Sequence, residues 1–172
     1  MRSSPVNTEL AHQLALSHQE NYAWALGCCG RDAREAEEVL QAVYLKVLEG
    51  RARFDGRSSL KTWVFAVIRR TAAQHRRLHM FAGLRMRALA EVPEPPDPGD
   101  VEEALEHRQR RDQLWRALDR LSRRQREVVL LVFYHEHTIE EAATVMGIGV
   151  GSARTHYERG KARLRELLKE TP

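Results

Sequence analysis

The 172-residue sequence predicts an all-α protein made of two small helical domains joined by a Pro-rich acidic linker. Apolar residues recur at intervals of three and four, which is the spacing of one buried helix face. Capping residues precede several of these segments, and glycines follow them. Four of the six prolines fall within residues 93–98, where proline excludes both helix and central strand. We therefore place the first domain at residues 1–89, the linker at 90–100 and the second domain at 101–172.

The first domain is predicted to contain three helices. Residues 8–27 carry spaced apolar positions and end at Gly27 and Gly30. A second helix begins after its cap Asp32 and runs to about Glu49, and a third begins near Ser59. The second helix has its apolar stripe at Ala36, Val39, Leu40, Val43 and Val47. The third has its stripe at Leu60, Trp63, Val64, Val67, Ile68 and Thr71.

The second domain is predicted to contain four helical segments. Asp100 can cap a helix that runs through Leu121, and Ser122 opens a capping box for the next helix. The stretch Val128–Tyr134 would also suit a buried strand, but it continues from that cap and has no second strand to pair with, so a helix is predicted. A further capping box begins at Thr138, and the final helix is expected over residues 150–169. Its expected buried stripe is Val150, Ala153, Tyr157, Gly160, Leu164 and Leu167.

The last two helices, joined by Gly147-Ile148-Gly149, have the pattern of a helix-turn-helix. In that motif the second helix enters the major groove of DNA, and its first turns reach the base edges. An αα-hairpin used only for packing is the alternative. Basic and short polar residues on the outward face favour DNA, and they are Ser152, Arg154, Thr155, His156 and Arg159.

The charges are strongly segregated along the chain. Residues 56–90 hold eight basic residues and no acidic residue, whereas residues 91–103 hold six acidic residues and no basic one. Seven of the eight basic residues are arginines, whose planar guanidinium suits phosphate and base edges. A well-hydrated helix face is the alternative, but ordinary surface helices mix both signs of charge. The block therefore favours a nucleic-acid partner.

Composition excludes several other classes of protein. The longest apolar run has seven residues, too few to span a bilayer, and no apolar stretch follows the start as a secretory signal would. Cys28 and Cys29 are adjacent, so they are expected to fill core space rather than form a disulfide. These features predict a cytoplasmic protein without membrane insertion.

No catalytic or metal chemistry is predicted. His135-Glu136-His137 could supply two metal ligands, but the other histidines show no ligand spacing, so a solvated turn is expected there. The sequence contains no phosphate-binding glycine loop, paired-carboxylate site or nucleophile with a base. We therefore expect no enzyme activity, no cofactor and no metal.

Three segments in a fixed order carry a family resemblance. The first half contains residues 36–47, which look like a segment that docks on RNA polymerase, and residues 54–64, which look like a segment that recognises and melts the minus-ten promoter element. The second half contains residues 121–128, 138–143 and 150–154, which look like a domain that reads the minus-thirty-five element. Taken together, the chain resembles an extracytoplasmic-function (ECF, group IV) sigma factor of the sigma-70 family. The resemblance implies a region 2 helical bundle, a region 4 helix-turn-helix and a role in directing core RNA polymerase to promoters.

The resemblance also implies partners and site residues. Core RNA polymerase, through its β′ clamp helices and β flap, and promoter DNA are the implied partners, and an anti-sigma factor is a further one that the family allows. The polymerase-docking face would be Glu38, Gln41, Ala42 and Leu45. The minus-ten and single-strand residues would be Phe54, Gly56, Arg57, Ser58, Ser59, Lys61, Arg69, Arg70, Arg76 and Arg77. The minus-thirty-five element would be read by the outward face of the last helix.

Two other functions fit parts of the pattern. One is a stand-alone helix-turn-helix regulator whose N-terminal half is an interaction module. The other is an adaptor whose helical halves bind only protein. A duplex reader has no need for a single-strand track, so the acid-free block favours the sigma factor over the regulator. Trp63 could stack on a base, but its place in the apolar stripe favours the core.

Overall fold

The computed structural model describes residues 5–81 and 101–169, with side chains at 9–79 and 110–169. The described residues fold into helices joined by turns and loops, without strands, which confirms the all-α prediction. They form two compact units, one within residues 1–92 and one within residues 93–172. The predicted linker, residues 90–100, lies outside the described residues. None of the described helices combines the length and apolarity needed to cross a bilayer.

The first unit contains α1 (Pro5–Leu16), α2 (His18–Cys28), α3 (Ala33–Leu48) and α4 (Leu60–Phe81). The single helix predicted over residues 8–27 is wrong, because the chain leaves the helix at Ser17. The Ser17 hydroxyl donates to the Gln13 carbonyl at 2.7 Å, and such a bond competes with regular helix geometry. Gly27 lies inside α2, which ends at Cys28, and Gly30 in the following turn has φ at +64°.

Trp24 is the centre of the first unit's core. Its side chain is fully buried, its ring stacks on Phe65 at 5.5 Å between centroids, and its indole Nε1 donates to the Phe65 carbonyl at 3.0 Å. All five residues of the predicted α3 stripe are buried, as are Cys28 and Cys29. Trp63, predicted to lie in the core, is instead only half-buried. Phe65, outside the predicted stripe, takes the central position in α4.

The second unit contains α5 (Val101–Asp119), α6 (Arg123–Val129), α7 (Ile139–Met146) and α8 (Val150–Lys169). The ambiguous stretch after α6 is helical, as predicted, but Leu130–Tyr134 forms a π-helix. Gly160 allows α8 to cross α6 closely, because a Cβ there would lie 2.9 Å from Val129 Cγ2. Val150, expected in the stripe, is exposed.

The turn His135–His137 is not solvated, so that prediction is wrong. Both histidines are buried, at 4% and 5% exposure, while Glu136 between them points outward with φ at +58°. Their backbone amides donate to the carbonyls of Leu130 and Leu131, at 3.0 Å and 2.9 Å. The π-helix thus folds the turn back against the core.

Candidate nucleic-acid interface

The helix-turn-helix of α7 and α8 is defined by local hydrogen bonds. The Thr138 hydroxyl accepts from the Glu141 amide at 3.1 Å, and the Glu141 carboxylate accepts from the Thr138 amide at 2.9 Å. These two bonds form the predicted capping box at the start of α7. Gly147 ends α7 in the left-handed conformation, with φ at +64°, and α8 begins at Val150. The predicted helix-turn-helix is confirmed.

The outward face of α8 carries the residues that the sequence assigned to DNA. Ser152, Arg154, Thr155 and Arg159 are exposed, and His156 is half-buried. Ala153 and Gly160, on the opposite side of the helix, are buried. The face therefore presents two guanidinium groups to solvent, and its first turn has the exposed amides that favour phosphate.

Two acidic residues near this face are already paired. The Arg154 guanidinium lies 3.8 Å from the Glu140 carboxylate of α7. Both side chains remain largely exposed, so this pair is weak. Glu158 pairs with Lys161 at 2.9 Å, and this neutralises the acidic residue of the outward face.

In the first unit, the loop between α3 and α4 presents an aromatic pair at the surface. The Phe54 ring lies 5.4 Å from the Trp63 ring between centroids, and Phe54 is 38% exposed. Gly56 has φ at +74°, which favours glycine, and the Arg57 amide donates to the Asp55 carboxylate at 3.2 Å. The loop thus combines an accessible aromatic surface with a tight turn.

Ser58 and Ser59 have different surroundings in that loop. The Ser59 hydroxyl accepts from the Thr62 amide at 3.1 Å and donates to the Thr62 hydroxyl at 2.8 Å, so it caps the start of α4. The Ser58 hydroxyl donates to the Ser59 carbonyl at 3.2 Å. Ser59 therefore has a structural contact in addition to its predicted role at a nucleotide.

The predicted basic track lies along α4 and the loop before it. Arg70 and Arg77 are exposed, and Arg69 is half-buried. Lys61 pairs with Glu20 of α2 at 3.0 Å, and Arg57 lies 3.4 Å from Asp55. Arg76 is half-buried and its guanidinium donates to the Cys28 carbonyl at the end of α2. Arg76 thus joins two helices, a role that the sequence did not indicate.

The second face of α3 is accessible, as the sequence predicts. Leu45 is 53% exposed, Gln41 is exposed, and Glu38 and Ala42 are half-buried. The Glu38 carboxylate accepts from Arg34 at 3.1 Å. An exposed leucine among polar side chains is compatible with a protein-binding surface.

One group of described side chains could hold a metal ion. Donor atoms of Glu38, His75 and His79 all lie within 4.8 Å of one another. Sequence reasoning missed this group, although His75 and His79 are four residues apart and therefore share a helix face. Nothing in the sequence indicated that Glu38 of α3 would face them.

Comparison with known proteins identifies the two units. Residues 16–80 match the family described as Sigma-70 region 2, and residues 111–164 match Sigma-70 region 4. The ECF RNA polymerase sigma factor SigX of Bacillus subtilis is 32% identical over 164 residues, covering 89% of this chain and 81% of SigX. The chain belongs to the ECF sigma factors of the sigma-70 family. The RNA polymerase sigma factor CarQ of Myxococcus xanthus is also 32% identical, over 81% of this chain and 78% of CarQ.

Two solved structures share the fold of this sigma factor. The sigma factor RpoE from Bartonella quintana, crystallised with the anti-sigma factor NepR, has a TM-score of 0.70 and 25% identity, covering 94% of this chain and 97% of RpoE. CnrH, solved with the cytosolic domain of CnrY, has a TM-score of 0.66 at 19% identity, covering 96% of both chains. The region 2 match of this sigma factor spans the Phe54 loop and most of α4, and the region 4 match includes the turn before α8.

Proposed function

We propose that this ECF sigma factor binds core RNA polymerase in the cytoplasm, directs it to specific promoters and supports their opening. One observation carries the proposal: region 2 and region 4 matches occur together on one chain. A stand-alone helix-turn-helix regulator would explain only the second of these matches. Under this proposal the polymerase catalyses RNA synthesis, and the sigma factor itself carries out no covalent chemistry.

The second unit would read the minus-thirty-five element through α8. Exposed guanidinium groups at Arg154 and Arg159 support contacts to guanine edges or phosphates. Ser152 and Thr155 would add shorter polar contacts, although the Thr155 hydroxyl already donates to the Gly151 carbonyl at 2.9 Å. His156, half-buried on the same helix, would contact the flank of the element.

The first unit would recognise the minus-ten element and hold the melted strand. The Phe54 loop, with Gly56, Arg57, Ser58 and Ser59, supports capture of an unstacked base beside Trp63. Such capture must offset the few kcal/mol that unstacking costs, and aromatic stacking contributes about 1–3 kcal/mol per base. The single strand would then follow Lys61, Arg69, Arg70 and Arg77. Arg76 would act mainly by holding α4 against α2.

Polymerase would dock on both units. We assign the clamp-helix contact of β′ to Glu38, Gln41, Ala42 and Leu45, supported by the exposure of Leu45. In the second unit, Phe133 and Tyr134 are each 63% exposed and offer an apolar patch for the β flap. The likeness to RpoE, solved with the anti-sigma factor NepR, supports an anti-sigma protein as a further partner.

Replacing Leu45 with aspartate tests the docking face. The Leu45→Asp variant is expected to lose binding to core polymerase, because the charge would enter an apolar contact without a partner. The fold should survive, since Leu45 is more than half exposed. The assay is capture of core polymerase by the purified full chain, followed by transcription from a promoter that the wild type recognises.

Leu16 provides a matched control for that assay. It is a leucine with 69% exposure on α1, outside the proposed face, so Leu16→Asp should bind and transcribe like the wild type. Normal capture of core polymerase and normal transcription by Leu45→Asp would show that this face of α3 is not the docking site. Failure of the wild type to bind core polymerase at all would overturn the proposed function.

A further inference from the structure

Metal-binding side chains meet where α3 packs against α4. His75 and His79 lie one helical turn apart on α4, and Glu38 faces them from α3. Their donor atoms lie within 4.8 Å of one another, and the two imidazole centroids are 4.3 Å apart. Two histidines at this spacing on one helix face are a known arrangement of zinc ligands.

The spacing between Glu38 and His75 already matches a zinc site. Zinc holds nitrogen and oxygen ligands at roughly 2.0–2.2 Å, so two ligand atoms of a tetrahedral site lie about 3.3–3.6 Å apart. The Glu38 Oε2 atom lies 3.5 Å from His75 Nε2. The other carboxylate oxygen, Oε1, accepts from Arg34 at 3.1 Å, which leaves Oε2 directed at the imidazole.

The second nitrogen of His75 also has the surroundings of a metal ligand. His75 Nδ1 is buried without a hydrogen-bond partner, and the nearest carboxylate oxygen, Oε1 of Glu35, is 3.7 Å away. A histidine that binds metal through one nitrogen usually donates the proton on the other to a carboxylate, which fixes the ring. A small inward movement of Glu35 would complete this hydrogen bond when Nε2 carries a metal ion.

We propose that Glu38, His75 and His79 form a Zn²⁺ site that links α3 to α4, with Glu35 orienting His75. Two imidazoles and one carboxylate suit Zn²⁺ and are poor ligands for Mg²⁺ or Ca²⁺, which prefer oxygen. Glu38 is half-buried and His79 is exposed, so an ion can enter from solvent and a water molecule can fill the fourth position. Burial raises the pKa of the Cys29 thiol to about 12, so this thiol is a poor competitor for the metal.

Zinc titration of the full chain, after removal of any histidine tag, tests this site. Competition with a chromophoric chelator is expected to show one Zn²⁺ bound per chain. His79→Ala should weaken that binding by at least tenfold, and Glu35→Gln, which removes only the orienting charge, by about tenfold or more. The control is His12→Ala, which removes an exposed histidine of α1 and should leave zinc affinity unchanged.

A thermal readout separates a bound zinc ion from general charge screening. Zn²⁺ at about ten times its Kd should raise the Tm of the first unit by roughly 6–11 °C, and Mg²⁺ at the same concentration should not. His79→Ala should fold without zinc, because its side chain is exposed, and should lose the zinc-dependent rise. Absence of zinc binding by the wild type, or an equal rise in Tm for His79→Ala, would overturn the proposal.

Discussion

The close crossing of α6 and α8 makes a sharp prediction about two glycines of the same helix. Gly160 and Gly151 both lie in α8, but only Gly160 faces another helix. A Cβ at position 160 would lie 2.9 Å from Val129 Cγ2 and 3.3 Å from the Gln125 carbonyl oxygen. A Cβ at position 151 would meet nothing within 4 Å. The same substitution should therefore have opposite effects at the two positions.

The expected free energies follow from this difference. Alanine in place of glycine in a helix gains about 0.5–1 kcal/mol from the lower backbone entropy of the unfolded chain. At position 160 the methyl group also overpacks the core, because Val129 is buried and stiff at χ1, and overpacking costs about 1–3 kcal/mol. Gly151→Ala should stabilise the second unit slightly, and Gly160→Ala should be less stable than it by about 1–3 kcal/mol.

Hydrogen exchange measured at increasing urea concentrations gives the free energy of unfolding for α6 and α8 separately from the first unit. Adding Val129→Ala to Gly160→Ala should recover part of the loss, and a double-mutant cycle would show this as a favourable coupling. If Gly160→Ala is as stable as Gly151→Ala, the reasoning about the crossing is refuted.

Two further predictions concern promoter recognition and the buried thiol. Arg154→Ala should weaken binding to the upstream promoter element by about 1–3 kcal/mol if Arg154 reads a base, as measured by competition between promoter variants. The control is Arg163→Ala, which removes an exposed arginine later in α8. An equal loss of binding on every sequence would mean that Arg154 contacts only phosphate. The pKa of Cys29 is raised from 9.0 to about 12 by burial, so the folded chain keeps a proton that the unfolded chain loses, and stability should fall as pH rises from about 9 to 12. Cys29→Ala should reduce this fall, and identical pH profiles for the two proteins would contradict the assigned cause.

The helix boundaries that rest on local hydrogen bonds could be predicted from the sequence. Asp32, Ser122 and Thr138 accept from the backbone amides three residues later, as their positions in the sequence indicate. The break at Ser17 and the π-helix after Val129 could not be predicted in this way. The bond from the Ser17 hydroxyl to the Gln13 carbonyl is local, but a serine does not by itself indicate that a helix will break. The π-helix holds an extra residue per turn, which the period of apolar residues does not encode.

The same distinction between local and long-range contacts applies to the candidate sites. The exposed residues of α8 follow from the helical period alone, and Arg154 and Arg159 lie where that period places them. The bond from Arg76 to the Cys28 carbonyl and the approach of Glu38 to His75 join separate helices. Sequence spacing cannot reveal contacts between residues 37 or more positions apart, so these two features required the fold.

The π-helix at Leu130–Tyr134 makes one place in the chain tolerant of a change in length. A π turn holds one residue more than an α turn, so deleting a single residue there can convert it to ordinary helix while both flanks keep their neighbours. Insertions and deletions during evolution should therefore accumulate between α6 and α7 before they appear inside α8. In α8, the loss of one residue would rotate every later side chain by about 100° around the helix axis.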